Sequence, residues 1–163
     1  MSKKVAVVMG SDSDLETMKP CIARLQSFGI PAEVRIISAH RTPVAAEQLA
    51  SGARENGFGV IIAAAGKAAH LAGVLAAYTT LPVIGVPIKT SMMGGLDSLL
   101  SMVQMPKGIP VACVAVDGAD NAAILAAQML ALSDEALASQ LADFKAKMAE
   151  EVAEKDRRIG EKL

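Results

Sequence analysis

The chain has two histidines, His40 and His70, and each stands in a short turn of polar or small residues. Imidazole takes up and releases protons near neutral pH, so these are the first candidates for acid–base work. His40 lies in Ser38-Ala39-His40-Arg41-Thr42-Pro43, directly after the apolar run Val34, Ile36, Ile37. Thr42 is placed to cap a helix and Pro43 to take its first position, where a missing N–H costs nothing. His40 is thereby presented beside Arg41, a permanent cation whose planar fork holds an anion. A structural turn histidine would suit the same place, but the pairing with Arg41 at a strand end favours proton transfer. His70 sits among Ala68, Ala69, Leu71 and Ala72, which predicts a packed residue holding backbone rather than a reactive one.

Two further turns belong with this one. Gly10-Ser11-Asp12-Ser13-Asp14 follows the apolar run 5–9, and Ala65-Gly66-Lys67-Ala68-Ala69-His70-Leu71 follows the run 60–64. Ser11 and Ser13 can donate to a phosphate, which small residues at helix N-termini also favour. Asp12 and Asp14 would repel one. Asp12 divides between a helix-dipole role and a ligand role, and Asp14 can instead accept from ribose hydroxyls. Lys67 is either a phosphate contact or a solvated side chain. The first turn has neither Gly-Lys-Ser/Thr nor three spaced glycines, so it is no Walker loop or dinucleotide fingerprint. No serine or cysteine stands in a nucleophile elbow. A metal site on His40, His70 and an aspartate lacks ligand-type spacing, and none is expected.

Elements that would position these turns follow in order. Apolar runs at 5–9, 33–37, 60–64, 83–86 and 111–116 predict strands, and helical patterns alternate with them. The helices are expected near 14–29, 43–56, 71–75, 96–102 and 121–132, with Ser133 capping a last one to about 159. Pro20 should kink the first helix or displace its regular part, since an interior proline costs about 3 kcal/mol. Continuous apolar strands without alternation indicate a parallel sheet covered on both faces. The expected fold is a three-layer α/β/α sandwich, a doubly wound parallel sheet of flavodoxin-like or Rossmann-like type. Ligands of such sheets sit outside the strands' carboxyl ends, where the winding reverses, and the three turns should meet there.

Composition narrows the partners. With 163 residues, 52% of them hydrophobic and 20% charged, the chain suits one globular domain, 1–163. A net charge of −1 gives no basic surface for nucleic acid or an anionic membrane. Aromatics at 2% are too few to stack bases. No apolar stretch reaches the length of a membrane span, and Met1-Ser2-Lys3-Lys4 leading into 5–9 suits a first strand better than a signal core. Cys21 and Cys113 stand far apart, as buried thiols of a cytoplasmic protein would. The segment 134–163 turns strongly charged from Glu150 onward; it is either a solvated end or an arm lying on a neighbouring subunit.

The three turns, together with Leu81-Pro-Val-Ile-Gly-Val-Pro87, Gly95-Leu-Asp-Ser-Leu-Leu-Ser101, Val103-Gln-Met-Pro106 and Asn121-Ala-Ala-Ile-Leu-Ala-Ala127, are similar in order and spacing to the PurE family of purine biosynthesis, class I, the N5-carboxyaminoimidazole ribonucleotide mutases. The resemblance covers nearly the whole chain. It implies transfer of a carboxylate from the exocyclic nitrogen of an aminoimidazole ribotide to ring carbon four, without ATP, biotin, metal or other cofactor. It implies His40 as the proton shuttle. Phosphate and ribose contacts would fall to Ser11, Ser13, Asp14, Ser38 and Arg41, with Ala39 also in the substrate site, and carboxylate handling to the turn containing Gly66, Lys67, Ala68, His70 and Leu71. It also implies a homo-octamer with C-terminal helices reaching across subunits. The family usually has Gly-Gly-Ala-Ala-His-Leu-Pro-Gly where this chain has Gly66-Lys67-Ala68-Ala69-His70-Leu71-Ala72-Gly73. A basic second residue resembles class II, which carboxylates the ribotide directly with CO2, but class II usually lacks Ala-Ala-His-Leu and the Arg-Thr-Pro after the histidine. A phosphoryl-receiver domain would need an aspartate where Ala64 and Ala65 stand. A passive nucleotide-binding regulatory module is the remaining non-enzyme alternative.

Overall fold

A computed structural model describes residues 3–161. The expected span 1–163, and the leading Met1 and Ser2, therefore run at both ends beyond the described residues. The chain order is β1 (Lys4–Met9), α1 (Leu15–Ser27), β2 (Ala32–Ile36), α2 (Pro43–Gly52), β3 (Phe58–Ala65), α3 (Leu71–Tyr78), β4 (Val83–Pro87), α4 (Leu96–Val103), β5 (Ala112–Cys113), α5 (Ala119–Ala131) and α6 (Glu135–Gly160). The strands pair in the order β2-β1-β3-β4-β5, all in parallel. That is the flavodoxin-like doubly wound sheet, with its switch point between β1 and β3.

The two faces of the sheet bury separate cores. Val5, Val7, Met9, Val60 and Ile62 pack with Met18 and Leu25 of α1 and the alanine face of α5, Ala119, Ala122, Ala123 and Ala126. Ala6, Val8, Ile61 and Ala63 pack with Ala46 and Ala50 of α2, Leu71 and Leu75 of α3, and Met102 of α4. Each fully buried leucine, isoleucine or methionine contributes about 1.5–3 kcal/mol, which holds the strand ends in register beneath the turns.

The expectation of strands covered on both faces holds for β1, β3 and β4 but not for β2. That strand lies at the sheet edge, with Val34 39% and Ile36 58% exposed. At the other edge, the apolar run 111–116 forms ladder pairs only at Ala112 and Cys113. Pro20 lies inside α1 and forfeits one amide hydrogen bond, yet the segment is one continuous helix. The last helix is capped by Asp134 rather than Ser133: its side chain accepts from the Leu137 N–H at 3.0 Å. Along α6, Leu137 is buried and Phe144 stacks edge-on against Phe28, 5.6 Å between ring centres. Beyond Phe144 the helix runs on with Met148, Val152 and Ile159 exposed. No helix among the described residues is long and apolar enough to cross a membrane.

Candidate active site

Register brings the turns together. Met9 pairs with Ile36 on one side and Ala64 on the other, so β1, β2 and β3 end level. The three turns after them open onto one cavity of about 800 Å³. Its lining includes Ser11, Ser13, Asp14, Ser38, Ala39, His40, Arg41, Gly66, Lys67, Ala68 and Leu71, every candidate named from the sequence except Asp12 and His70.

The first turn leaves β1 at Gly10 and makes a single 3-10 turn, Asp12–Asp14, before α1. Ser11 caps that turn by accepting from the Ser13 N–H at 3.3 Å, and the two serine hydroxyl oxygens lie 2.9 Å apart. Asp14 makes no cap bond to α1. It is buried at 7% exposure, and burial pushes its carboxyl above the usual carboxylate range, opposed by the Ser13 hydroxyl donating to it at 3.3 Å. A carboxylate placed there can accept hydrogen bonds from a ligand's hydroxyls.

The second turn is stitched by Thr42, although not as a helix cap. Its hydroxyl donates to the Ser38 carbonyl at 3.1 Å and accepts from the Ser38 N–H at 2.9 Å, and no side-chain bond reaches α2. Pro43 takes the first helical position as expected. Arg41 is fixed across two turns: Nε donates to Ser38 Oγ at 3.2 Å and Nη2 to the Gly10 carbonyl at 3.0 Å. The guanidinium is therefore already oriented when an anion arrives.

His70 departs from expectation. It is exposed at the start of α3, while its neighbours Ala69 and Leu71 are buried, and its Nδ1 lies 2.9 Å from His40 Nε2. The ring centres are 5.0 Å apart at 79°. Successive residues at a helix start point in different directions, so the apolar neighbours turn inward and leave the imidazole free to face the second turn. The two rings together hold one hydrogen in the bond, one donating and the other accepting.

Thr17, Ile88, Lys89 and Thr90 also line the cavity and were not expected there. Thr17 stands four residues after Ser13, on the same side of the chain. The other three form the turn after β4, which neighbours β3; the rule that placed the first three turns applies equally to a fourth. Lys89 donates its N–H to Asp117 at 2.8 Å, and Thr90 donates its hydroxyl to Asp97 at 2.6 Å. Asp97 also accepts the Ser98 N–H at 2.9 Å; the Thr90 hydroxyl, first, and this amide hold its carboxyl below the usual range. Ser98, fully buried, accepts the Lys67 N–H at 3.0 Å. α4 thus braces the turns after β3 and β4 from beneath. It enters through Gly95, at φ 103°, where a Cβ would stand 2.9 Å from Val116 Cγ1 and 3.1 Å from Lys89 Cα.

Arg41, Lys67 and Lys89 face the cavity against the single carboxylate of Asp14, so a chain of net charge −1 presents a locally positive pocket. Among the described residues no group of His, Cys, Asp or Glu side chains is placed to hold a metal ion. The arrangement offers fixed anion contacts on one side, a ribose-type acceptor on another, and an imidazole at the mouth.

Comparison with known proteins agrees with this geometry. The pattern of the AIR carboxylase family matches residues 4–151. The chain is 53% identical over 157 residues to the N5-carboxyaminoimidazole ribonucleotide mutase of Pyrococcus horikoshii, covering 96% of this chain and 89% of that protein. It is 50% identical over 162 residues to the chloroplastic phosphoribosylaminoimidazole carboxylase of Vigna aconitifolia, covering 99% of this chain and 28% of the plant protein. The crystal structure of Treponema denticola PurE superposes with a TM-score of 0.88 at 28% identity, over 96% of this chain and 98% of that one. This chain belongs to the AIR carboxylase family.

Proposed function

We propose that the chain is an isomerase of purine biosynthesis that converts N5-carboxyaminoimidazole ribonucleotide to its 4-carboxy isomer. The observation that carries the reading is His40: an imidazole at the mouth of a positive cavity, beside an oriented Arg41 and bonded to the His70 that begins the facing helix. Relatives bearing the mutase name, at more than half identity, support it.

The proton balance needs one group. His40 as imidazolium gives its proton to the carbamate nitrogen; the N–C bond breaks and CO2 departs, leaving the neutral aminoimidazole. Ring carbon four attacks the CO2, forming a C–C bond, and His40, now a base, removes the proton from that carbon to restore aromaticity. The imidazole ends as it began, so no external acid, base or cofactor enters the balance. Arg41, Ser11, Ser13 and Ser38 take the phosphate, Asp14 the ribose hydroxyls, and the Gly66–Leu71 turn the migrating carboxylate. Ala39, Ala65 and Ala68 line the cavity, and their small side chains let the base lie close and limit the water beside the CO2.

The chain acts as one cytosolic unit, and α6 supplies its contact with other copies in an octamer. The stripe Leu137, Leu141, Phe144 that packs on the chain's own body continues along the helix as Met148, Val152 and Ile159, which are exposed among the described residues.

A second reading, direct carboxylation of the uncarboxylated ribotide with CO2, draws on the basic Lys67 in the carboxylate turn. One assay separates them. Purified protein is offered either the N5-carboxylated ribotide or the uncarboxylated one with bicarbonate, beside the His40→Asn variant. The mutase reading expects turnover of the first, lost in the variant with ribotide binding kept. Preference for the second at low CO2 would sink it.

A further inference from the structure

Lys67 is a backbone outlier with no internal reason for its side chain. Its φ is 58°, in the left-handed region that glycine enters freely and other residues enter at a cost. The conformation is imposed from α4 and the turn itself: the Lys67 N–H donates to buried Ser98 Oγ at 3.0 Å, and its carbonyl accepts from the Ala69 N–H at 2.9 Å. A glycine would satisfy the same bonds with less strain. The side chain is exposed, lines the cavity, and makes no ion pair among the described residues. A strained residue at the rim of a site, whose side chain is unspent inside the protein, points to work done on the ligand.

Its place in the sheet says which part of the ligand. Arg41 follows β2 and Lys67 follows β3, with β1 between them. Two inter-strand spacings separate the turns by about 9–10 Å. Arg41 is already tied to the Gly10 and Ser38 side of the cavity. A ligand carrying a phosphate at one end and a carboxylate at the other, joined through a ribose and a five-membered ring, can meet Arg41 with the first and Lys67 with the second, while the third cavity cation, Lys89, follows β4, one strand beyond β3. An uncarboxylated ribotide has nothing for Lys67.

Resting on the reading given under Proposed function, we propose that Lys67 determines substrate specificity: its ammonium holds the carboxylate, and so selects carboxylated over uncarboxylated ribotides. The test uses Lys67→Gly and Lys67→Met in the His40→Asn background, where ligand is not consumed, and in the otherwise native protein. Affinities for the 4-carboxylated ribotide and for the uncarboxylated aminoimidazole ribotide are measured by calorimetry. A charged hydrogen bond of ordinary strength predicts about tenfold or greater weakening for the carboxylated ligand in both variants. The uncarboxylated ligand should hold within about twofold, and Lys67→Arg should restore most of the difference. KM for the N5-carboxylated substrate should rise in parallel. Lys67→Gly reaches φ 58° without strain, so its thermal midpoint should not fall. Equal weakening of both ligands would make Lys67 a phosphate contact or a purely structural residue, and no change would make it a solvated side chain; either overturns the proposal. A native protein that binds ribotides but turns none over fails the function reading and leaves the affinity comparison intact.

Discussion

Replacing His70 separates an orienting role from a chemical one. In the structure His40 Nε2 and His70 Nδ1 lie 2.9 Å apart with the rings nearly perpendicular, a geometry that fixes where the His40 ring points. Both side chains are exposed, so water competes for every donor and acceptor of the pair. A hydrogen bond in that setting contributes about 0.5–1.5 kcal/mol, which as lost orientation corresponds to about 3- to 10-fold in rate. The proton transfer assigned to His40 is of another size, about 10²- to 10⁴-fold. His70→Phe keeps an aromatic ring on α3 but removes the nitrogen, and should lower kcat by no more than about tenfold. His40→Asn should lower it by at least about a hundredfold while ribotide binding persists. Because the pair acts as a unit, the double variant should be no slower than His40→Asn alone. The assay is steady-state conversion of the N5-carboxylated ribotide, with calorimetric binding of the product as control. If His70→Phe is as inert as His40→Asn, the proton passes through both rings and the single-shuttle mechanism fails.

Other variants test the scaffold around the pair. Ser98→Ala leaves the Lys67 N–H without its buried acceptor and should cost about 1–3 kcal/mol in urea denaturation. Asp14→Asn tests a conflict between stability and binding. Burial raises the folded carboxyl above its unfolded value, so ionised Asp14 destabilises the fold at neutral pH, and that cost disappears as pH falls through the raised value. The asparagine variant should therefore be more stable than its parent at pH 7, lose that advantage on acidification, and bind ribotide more weakly; denaturation midpoints across pH, with ribotide titration, read both. Val152→Asp places a charge in the exposed stripe of α6 and should lower the assembled mass in analytical ultracentrifugation with the helical circular dichroism unchanged.

Much of this is legible because the chain writes its sheet in plain runs. The apolar segment before each turn marks β1, β3 and β4 to within a few residues, and the polar residues after them mark the site. Position within the sheet is not legible. Val34 and Ile36 look as buried as Val5 and Val7, since hydrophobicity does not say whether another strand lies alongside, and β2 proves to be an edge. His70 misleads because its neighbours are apolar. Those neighbours are indeed buried, but the helix starting at Leu71 directs the imidazole the other way. Thr42 carries the composition of a cap and makes a tighter local bond instead. The brace from α4 has no local trace at all: Ser98 looks like any mid-helix serine until its partner, 31 positions earlier, is folded beside it.

Those hidden features share a physical logic. Buried Asp14, left-handed Lys67 and buried Ser98 would each weaken a protein if met alone, and each is held by an element that owes nothing to the ligand. Asp14 is held at the head of α1, whose Met18, Cys21 and Leu25 are fully buried; Lys67 and Ser98 hold each other through α4, anchored by Met102. The core on one face of the sheet therefore supports the turn after β1, and the core on the other supports the turns after β2 and β3. The His40–His70 bond is the link between the turns after β2 and β3 that belongs to neither core.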